Sequence, residues 1–211
     1  MPSFSQSLSA RLATAEPQKL PERFQTRRSA VAVVMDQDVL SSASLLFIQR
    51  AKHDADPWSG HMAFPGGRQE TFDRNNLATA KREMHEEIGF DIDQPHDPDT
   101  RGQVIGRLSD FSTRKRAIPI DMVVSPYVFL IDKRPQLTTN YEVADTVWIP
   151  LAYFADLGNR STLEYEVAGT TWELPCFRYS EDKVIWGMTL KMIDELLLIA
   201  GVDIPEGVIS R

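Results

Sequence analysis

Three glutamates crowd one short segment, Glu83, Glu86 and Glu87, downstream of a Phe64-Pro65-Gly66-Gly67 turn and directly after Arg82. On a helix, acids at these positions fall within about 100° of the circumference. Like charges so placed weaken an isolated helix by about 0.2–0.5 kcal/mol per pair. A cation gathered among them reverses that sign. Hard carboxylate oxygens suit magnesium, which keeps part of its water shell and shares itself with phosphates. The pattern is the outline of a divalent-metal site acting on a phosphate compound.

Neighbouring residues argue against a merely solvated acidic face. Leu77, Ala80, Met84 and Ile88 recur at helical spacing, which gives the segment a core stripe and holds the acids off it. Gly89 stands where such a helix needs a C-terminal cap. The glycines Gly66 and Gly67 let main chain come close to a ligand or metal, because they carry no side chain.

From Arg82 to Phe90 the order Arg-Glu-Met-His-Glu-Glu-Ile-Gly-Phe matches, position by position, the second half of the Nudix box, and the segment resembles that family. In the first half Gly67 and Asp73 stand one residue earlier than the box would place its glycine and first glutamate, at Arg68 and Arg74. This implies a one-residue insertion before the helix. With Phe64-Pro65-Gly66-Gly67 ahead of it, the arrangement resembles the coenzyme A pyrophosphatase branch. The similarity continues in order through Arg28–Val34, Leu45–Arg50, Glu142-Val143, Val147–Leu151 and Ile185–Thr189. It departs in the upstream loop: Phe47 replaces a threonine, and Lys52–His61 is one residue longer, with Asp56 near an expected basic position.

The resemblance implies a metal-dependent hydrolase that cleaves the pyrophosphate linkage of a nucleoside diphosphate derivative. Coenzyme A or acyl-CoA comes first, releasing 3′,5′-ADP and (acyl-)phosphopantetheine. ADP-ribose, NADH, a nucleotide sugar or a dinucleotide is the alternative, as is a catalytically silent nucleotide-binding regulator. Magnesium or manganese would be held by Glu83, Glu86 and Glu87, with the Gly67 carbonyl as a further ligand. Glu86 or Glu87 could instead take the proton of the attacking water, and the residues leave that choice open. Arg82 would orient a neighbouring carboxylate, with Asp73 as a candidate. Arg28, Arg50 and Gly66 are candidates for holding the substrate, with Arg27 beside them, and Glu142 is a possible additional carboxylate. Arg114-Lys115-Arg116 could meet a further phosphate, and Trp58 or Trp186 could stack on a base. His61 and His85 have no metal-ligand spacing with another histidine or cysteine, so zinc is not expected.

These residues need a scaffold. Strands are expected over 29–35, 44–50, 104–110, 121–131, 145–149, 163–168, 171–174 and 176–179; the run at 121–131 is nearly continuously apolar and reads as buried on both faces. The catalytic loop and helix occupy 52–90, a turn lies at 156–160, and a helix from 186 to 200 closes at Gly201. The fold class is α/β, a Nudix-type α/β/α sandwich with a mixed β-sheet. Residues 1–26 are expected to form an N-terminal extension in which Pro17 and Pro21 limit any helix around Leu8 and Leu12, and the resemblance implies a single Nudix hydrolase domain over 27–211.

The chain has 211 residues, 42% hydrophobic and 25% charged, with a net charge of −7. Such a balance is ordinary for a globular protein and argues against a nucleic-acid partner, which asks for a basic surface. The partner expected is a small nucleotide-derived molecule, and the family resemblance allows a homodimer. No apolar run approaches the roughly 18 residues that span a bilayer, so no membrane partner is expected. A lone cysteine, Cys176, forms no intrachain disulfide and reads as a small core side chain. The expected location is cytoplasmic.

Overall fold

The computed structural model describes residues 7–53, 59–113, 122–167 and 169–204. In chain order its strands are β1 (Arg27–Met35), β2 (Ser44–Arg50), β3 (Met62–Ala63), β4 (Gly66–Arg68), β5 (Gly102–Arg107), β6 (Phe111–Ser112), β7 (Met122–Ile131), β8 (Val143–Pro150), β9 (Arg160–Val167), β10 (Thr170–Arg178) and β11 (Val184–Trp186). The α-helices are α1 (Leu8–Thr14), α2 (Asn76–Ile88), α3 (Leu151–Ala155) and α4 (Gly187–Ile199). Among the described residues, β1 to β8 form one mixed sheet in the order β3-β2-β1-β7-β5, with β4 and β6 added on β1 and β7 and β8 on β2.

At the centre, β1 and β7 run parallel in register from Arg27↔Met122 to Met35↔Leu130. Their β-branched and small apolar residues need cover on both faces, and helices supply it. Ala30, Ala32 and Val34 turn to the face covered by α2, against Ala80, Met84 and Ile88. Val33 and Met35 turn to the other face, against Leu190, Ile193 and Leu197 of α4. The expected layering of helix, mixed sheet and helix is what forms. β7 (Met122–Ile131) is buried on both faces, as its apolar run demands.

Three elements differ from expectation. The strand expected to reach residue 110 stops at Arg107, because the following main chain is engaged elsewhere. Ser109 N–H donates to the Glu195 carboxylate and Asp110 N–H to the Gln18 carbonyl. The two strands expected on either side of Pro175 are one continuous strand, β10. Proline removes a ladder donor, but β11 pairs only with Cys176–Arg178, which leaves one side of β10 open at Pro175. Ile185 and Trp186 belong to β11, and the helix begins one residue later at Gly187.

The helix around Leu8 and Leu12 ends at Thr14, before Pro17. Ser7 caps it by accepting the Ala10 N–H, and Asp38 accepts the Ser9 N–H at 2.8 Å, which ties the segment to the β1–β2 loop. Leu8 and Leu12 are buried in the same cluster as Leu108, Leu196 and Leu197. Leu12→Ala is therefore expected to cost about 2–5 kcal/mol of unfolding free energy, the range for a truncated core leucine. Urea denaturation measures it, and a loss below the error of the method would show that this helix contributes no packing. Among the described residues no helix is long and apolar enough to cross a membrane.

Candidate active site

β1 meets β2 only at Met35↔Leu45. Toward the start of β1 the two strands part, and β4 enters the gap, pairing Ala30 with Gly67 and Val31 with Gly66. This splay opens a cleft of about 760 Å³ whose lining includes Gly66, Gly67, Arg82, Glu83 and Glu86. Arg50 and Glu142 also face it. They arrive together because β2 and β8 are paired at Arg50↔Val143, with the Ala51 N–H donating to the Glu142 carbonyl at 2.7 Å.

The glycine turn is pressed between β1 and α2. A methyl group at Gly66 would stand 2.6 Å from Val31 Cα, and one at Gly67 would stand 2.5 Å from the Glu83 carboxyl carbon. Neither glycine has a positive φ; closeness alone requires them. Gly66 N–H donates to Glu87 Oε2 at 2.7 Å, and the Gly67 carbonyl accepts the Ser29 hydroxyl at 2.5 Å. Gly67→Ala is thus expected to displace the Glu83 side chain while keeping the sheet, since the obstructing atoms belong to a movable side chain. Turnover should fall at least tenfold with a melting temperature close to wild type; unchanged turnover would show that the position of Glu83 against this turn does not matter.

Arg82 organises the acidic wall. Its Nε and Nη2 donate to the two Asp73 oxygens at 3.1 and 3.0 Å, Nη1 to Glu86 at 2.8 Å and Nη2 to the Arg68 carbonyl at 2.8 Å. Nη2 also lies 2.9 Å from Glu83 Oε1. The Phe72 ring lies against the guanidinium, 5.6 Å from its centroid. Burial raises the Asp73 carboxyl, but hydrogen bonds from Arg82, the Glu70 amide and Thr79 outweigh it and hold the group below the usual carboxylate range.

Half-buried Glu83 and buried Glu87 move the opposite way. Burial lifts Glu83 above the ordinary carboxylate value, and the charges of Glu86 and Glu142 add to that against the pull of Arg82. Glu87, 1% exposed, is pushed up to about 8, first by burial, then against the Gly66 N–H by the charge of Glu83; Arg50 pulls it back and Glu142 pushes it further. These interactions show that Glu83, Glu87, Arg50 and Glu142 share one electrostatic space. Its carboxylates outnumber its cations, and their hard oxygens are the donors a magnesium or manganese ion takes. Among the described residues no three side chains yet converge as a finished metal cage. Arg82 holds Glu83 and Glu86, and Gly66 holds Glu87. The donor set fits a divalent cation shared with phosphate oxygens, which needs few protein ligands.

The family model of the NUDIX domain matches residues 25–165. The chain belongs to the Nudix family. It is 30% identical over 198 residues to the uncharacterized Nudix hydrolase NudL of Salmonella typhimurium, covering 92% of this chain and 93% of that one. It is 33% identical over 144 residues to the uncharacterized protein C14C4.10c of Schizosaccharomyces pombe, covering 60% of this chain and 42% of that one. To the peroxisomal coenzyme A diphosphatase NUDT7 of Mus musculus it is 28% identical over 146 residues, covering 66% and 57%. The Nudix chain thus spans about half the length of the latter two.

In this Nudix chain, Gly66, Gly67, Arg50, Arg82, Glu83, Glu86 and Glu142 line one cleft. Arg28 does not: Ser29 and Val31 line the cleft, and strand alternation turns the exposed Arg28 to the other face. Glu87 departs from the expectation that the acids stay off the core side. Its helical position lies next to Ala80, at the border of the core stripe, so the carboxyl sinks inward, whereas the Glu86 side chain remains 50% exposed. Ser29 was missed as a partner of Gly67; a hydroxyl at the start of a strand carries no such signal. Trp58, Asp56 and Arg114-Lys115-Arg116 lie outside the described residues. Trp186 does line the cleft, edge-on to His61 with ring centroids 4.9 Å apart.

Proposed function

We propose that this chain hydrolyses the phosphoanhydride bond of a nucleoside diphosphate derivative, with coenzyme A or its acyl derivatives as substrate. The observation that carries this reading is the pair of carboxylates set against the Gly66–Gly67 turn, half-buried Glu83 lining the cleft with Arg50 and buried Glu87 behind it, both raised by burial. Glu83 and Glu87 would hold a magnesium or manganese ion, whose chemistry is to neutralise phosphate oxygens and lower the pKa of water. Arg50 supplies the cation that grips a phosphate oxygen on the same side of the cleft. Arg82 keeps Glu83 in place and holds Glu86 at the cleft edge. Glu86 and Glu142, two of the exposed carboxylates of the lining, stand where entering water can pass a proton to them. Water adds across the P–O–P bridge, so coenzyme A would give 3′,5′-ADP and phosphopantetheine.

The coenzyme A assignment is supported by the likeness to the mouse coenzyme A diphosphatase. Retention of every acid of the second half of the box weighs against a silent regulator. The test is product release from coenzyme A, ADP-ribose, NADH and dinucleoside polyphosphates with magnesium or manganese, each repeated with chelator. Turnover of coenzyme A above the others, abolished by chelator, is expected. Preference for another member of the panel would replace the substrate, and metal-insensitive or absent turnover would overturn the reaction.

A further inference from the structure

Glu142 reaches the cleft from the segment that joins β7 to β8, far along the chain from the acids of α2. Leu137 and Val143 bracket the last part of that segment, packed in the same cluster as Met84 and Ile88. Between them the chain passes the C-terminal end of α2. The last carbonyls of a helix have no partner within it, and here the segment supplies donors. Thr138 N–H donates to the Ile88 carbonyl at 3.0 Å and Asn140 N–H to the Glu87 carbonyl at 3.2 Å. The fit is close, since a methyl group at Gly89 would stand 3.1 Å from Thr138 Cβ.

Asn140 then turns to Glu142. Its Oδ1 accepts the Glu142 N–H at 2.9 Å, the bond to the main chain two residues on that asparagine makes in turns. The Asn140 carbonyl accepts the Val143 N–H at 3.3 Å, and the Glu142 carbonyl accepts the Ala51 N–H at 2.7 Å. The main chain of Glu142 is thus held on both sides, by Asn140 and by the residue after Arg50. Its carboxylate is exposed and bonded by the hydroxyl of Tyr141, a side chain 87% exposed. The place of that carboxylate among the other acids is therefore set by the main chain beneath it. Glu83 and Glu87 both feel its charge, so a displaced Glu142 changes the field where a cation would sit.

We propose that Asn140 is a positioning residue: bonded through its main chain to Glu87 and through its side chain to Glu142, it fixes Glu142 against the acidic helix. Asn140 does not itself line the cleft and acts through Glu142. This rests on the reading above for a divalent ion at Glu83 and Glu87 and for proton transfer at Glu142.

A double-mutant cycle on the full chain separates this role from an ordinary turn, read by manganese affinity from electron paramagnetic resonance and by kcat on coenzyme A. Glu142→Gln should weaken manganese binding about threefold, the scale of an exposed charge pair, and Asn140→Ala should weaken it by up to the same factor. Asn140→Ala should also lower kcat roughly 10–100-fold, the cost of a misplaced group. In the Glu142→Gln chain, Asn140→Ala should change neither quantity further, because residues acting through one contact are not additive. Asn140→Asp keeps an oxygen to accept the Glu142 N–H and should restore most of kcat. Equal losses from Asn140→Ala with and without the Glu142 carboxylate overturn the inference, and so does an Asn140→Ala chain with wild-type affinity and kcat. Unfolding of Asn140→Ala also overturns it, by making Asn140 a residue of the fold, as does a chain indifferent to Glu142→Gln. If the wild-type chain binds manganese and turns over no substrate of the panel, the proposed reaction falls and the cycle in manganese affinity decides the role of Asn140. Failure of the wild-type chain to bind manganese overturns both.

Discussion

Glu87→Gln is expected to lower kcat by roughly 10²–10⁴-fold, the scale on which enzymes lose rate when a positioned carboxylate is neutralised, and to leave the fold intact or firmer. Glutamine has the shape of glutamate, and its carbonyl oxygen can keep accepting the Gly66 N–H that now donates to Glu87 Oε2. What disappears is the capacity for a buried negative charge beside Glu83 and Glu142. In the chain without metal, burial and two like charges oppose that charge and push the carboxyl up to about 8, so near neutral pH it stays mostly protonated. With a divalent ion bound it is half of the neutralising pair. The substitution therefore separates function from stability: turnover with magnesium should collapse, and thermal unfolding without metal should move upward or not at all. A variant with wild-type turnover would remove Glu87 from the chemistry.

Arg82→Met is expected to act on both. It cancels the guanidinium that spans Asp73, Glu83, Glu86 and the Arg68 carbonyl. The Asp73 side chain is only 4% exposed, and stranding a buried charge costs about 3 kcal/mol. Activity should fall as well, since Glu83 loses the group that fixes it. Arg82→Lys should recover little, because one ammonium cannot replace a planar fork of donors. The pH dependence follows from Asp73, whose folded pKa is depressed. Its contribution is present above the ordinary carboxylate value and is lost as pH falls through the lower folded value. The stability gap between wild type and variant should thus narrow in acid. Urea unfolding of both at neutral and acidic pH measures it, and a gap that widens in acid would show that Asp73 is not the group Arg82 stabilises.

Much of this was legible in the order of residues. The stripe Leu77, Ala80, Met84, Ile88 called for a helix with one side buried, Gly89 marked its end, and the apolar run of β7 called for cover on both faces. Local rules suffice for such features, because the period of a helix or strand is set by main-chain geometry. Closeness of Gly66 and Gly67 to something was readable from their lack of side chains. That the something is Val31 and the Glu83 carboxylate was not.

Residue types and spacing determined the chemistry available here: acids on one helix, a turn without side chains, a cationic partner one position away. They did so because helical neighbours are fixed by the chain itself. Tertiary structure decided how deeply each acid is buried, and that Arg50 and Glu142 join them in the cleft while Arg28 does not. Those outcomes depend on how β1 and β2 part, on strand alternation and on the depth to which each side chain is buried. Each is a relation between segments far apart in the chain, which no local pattern encodes.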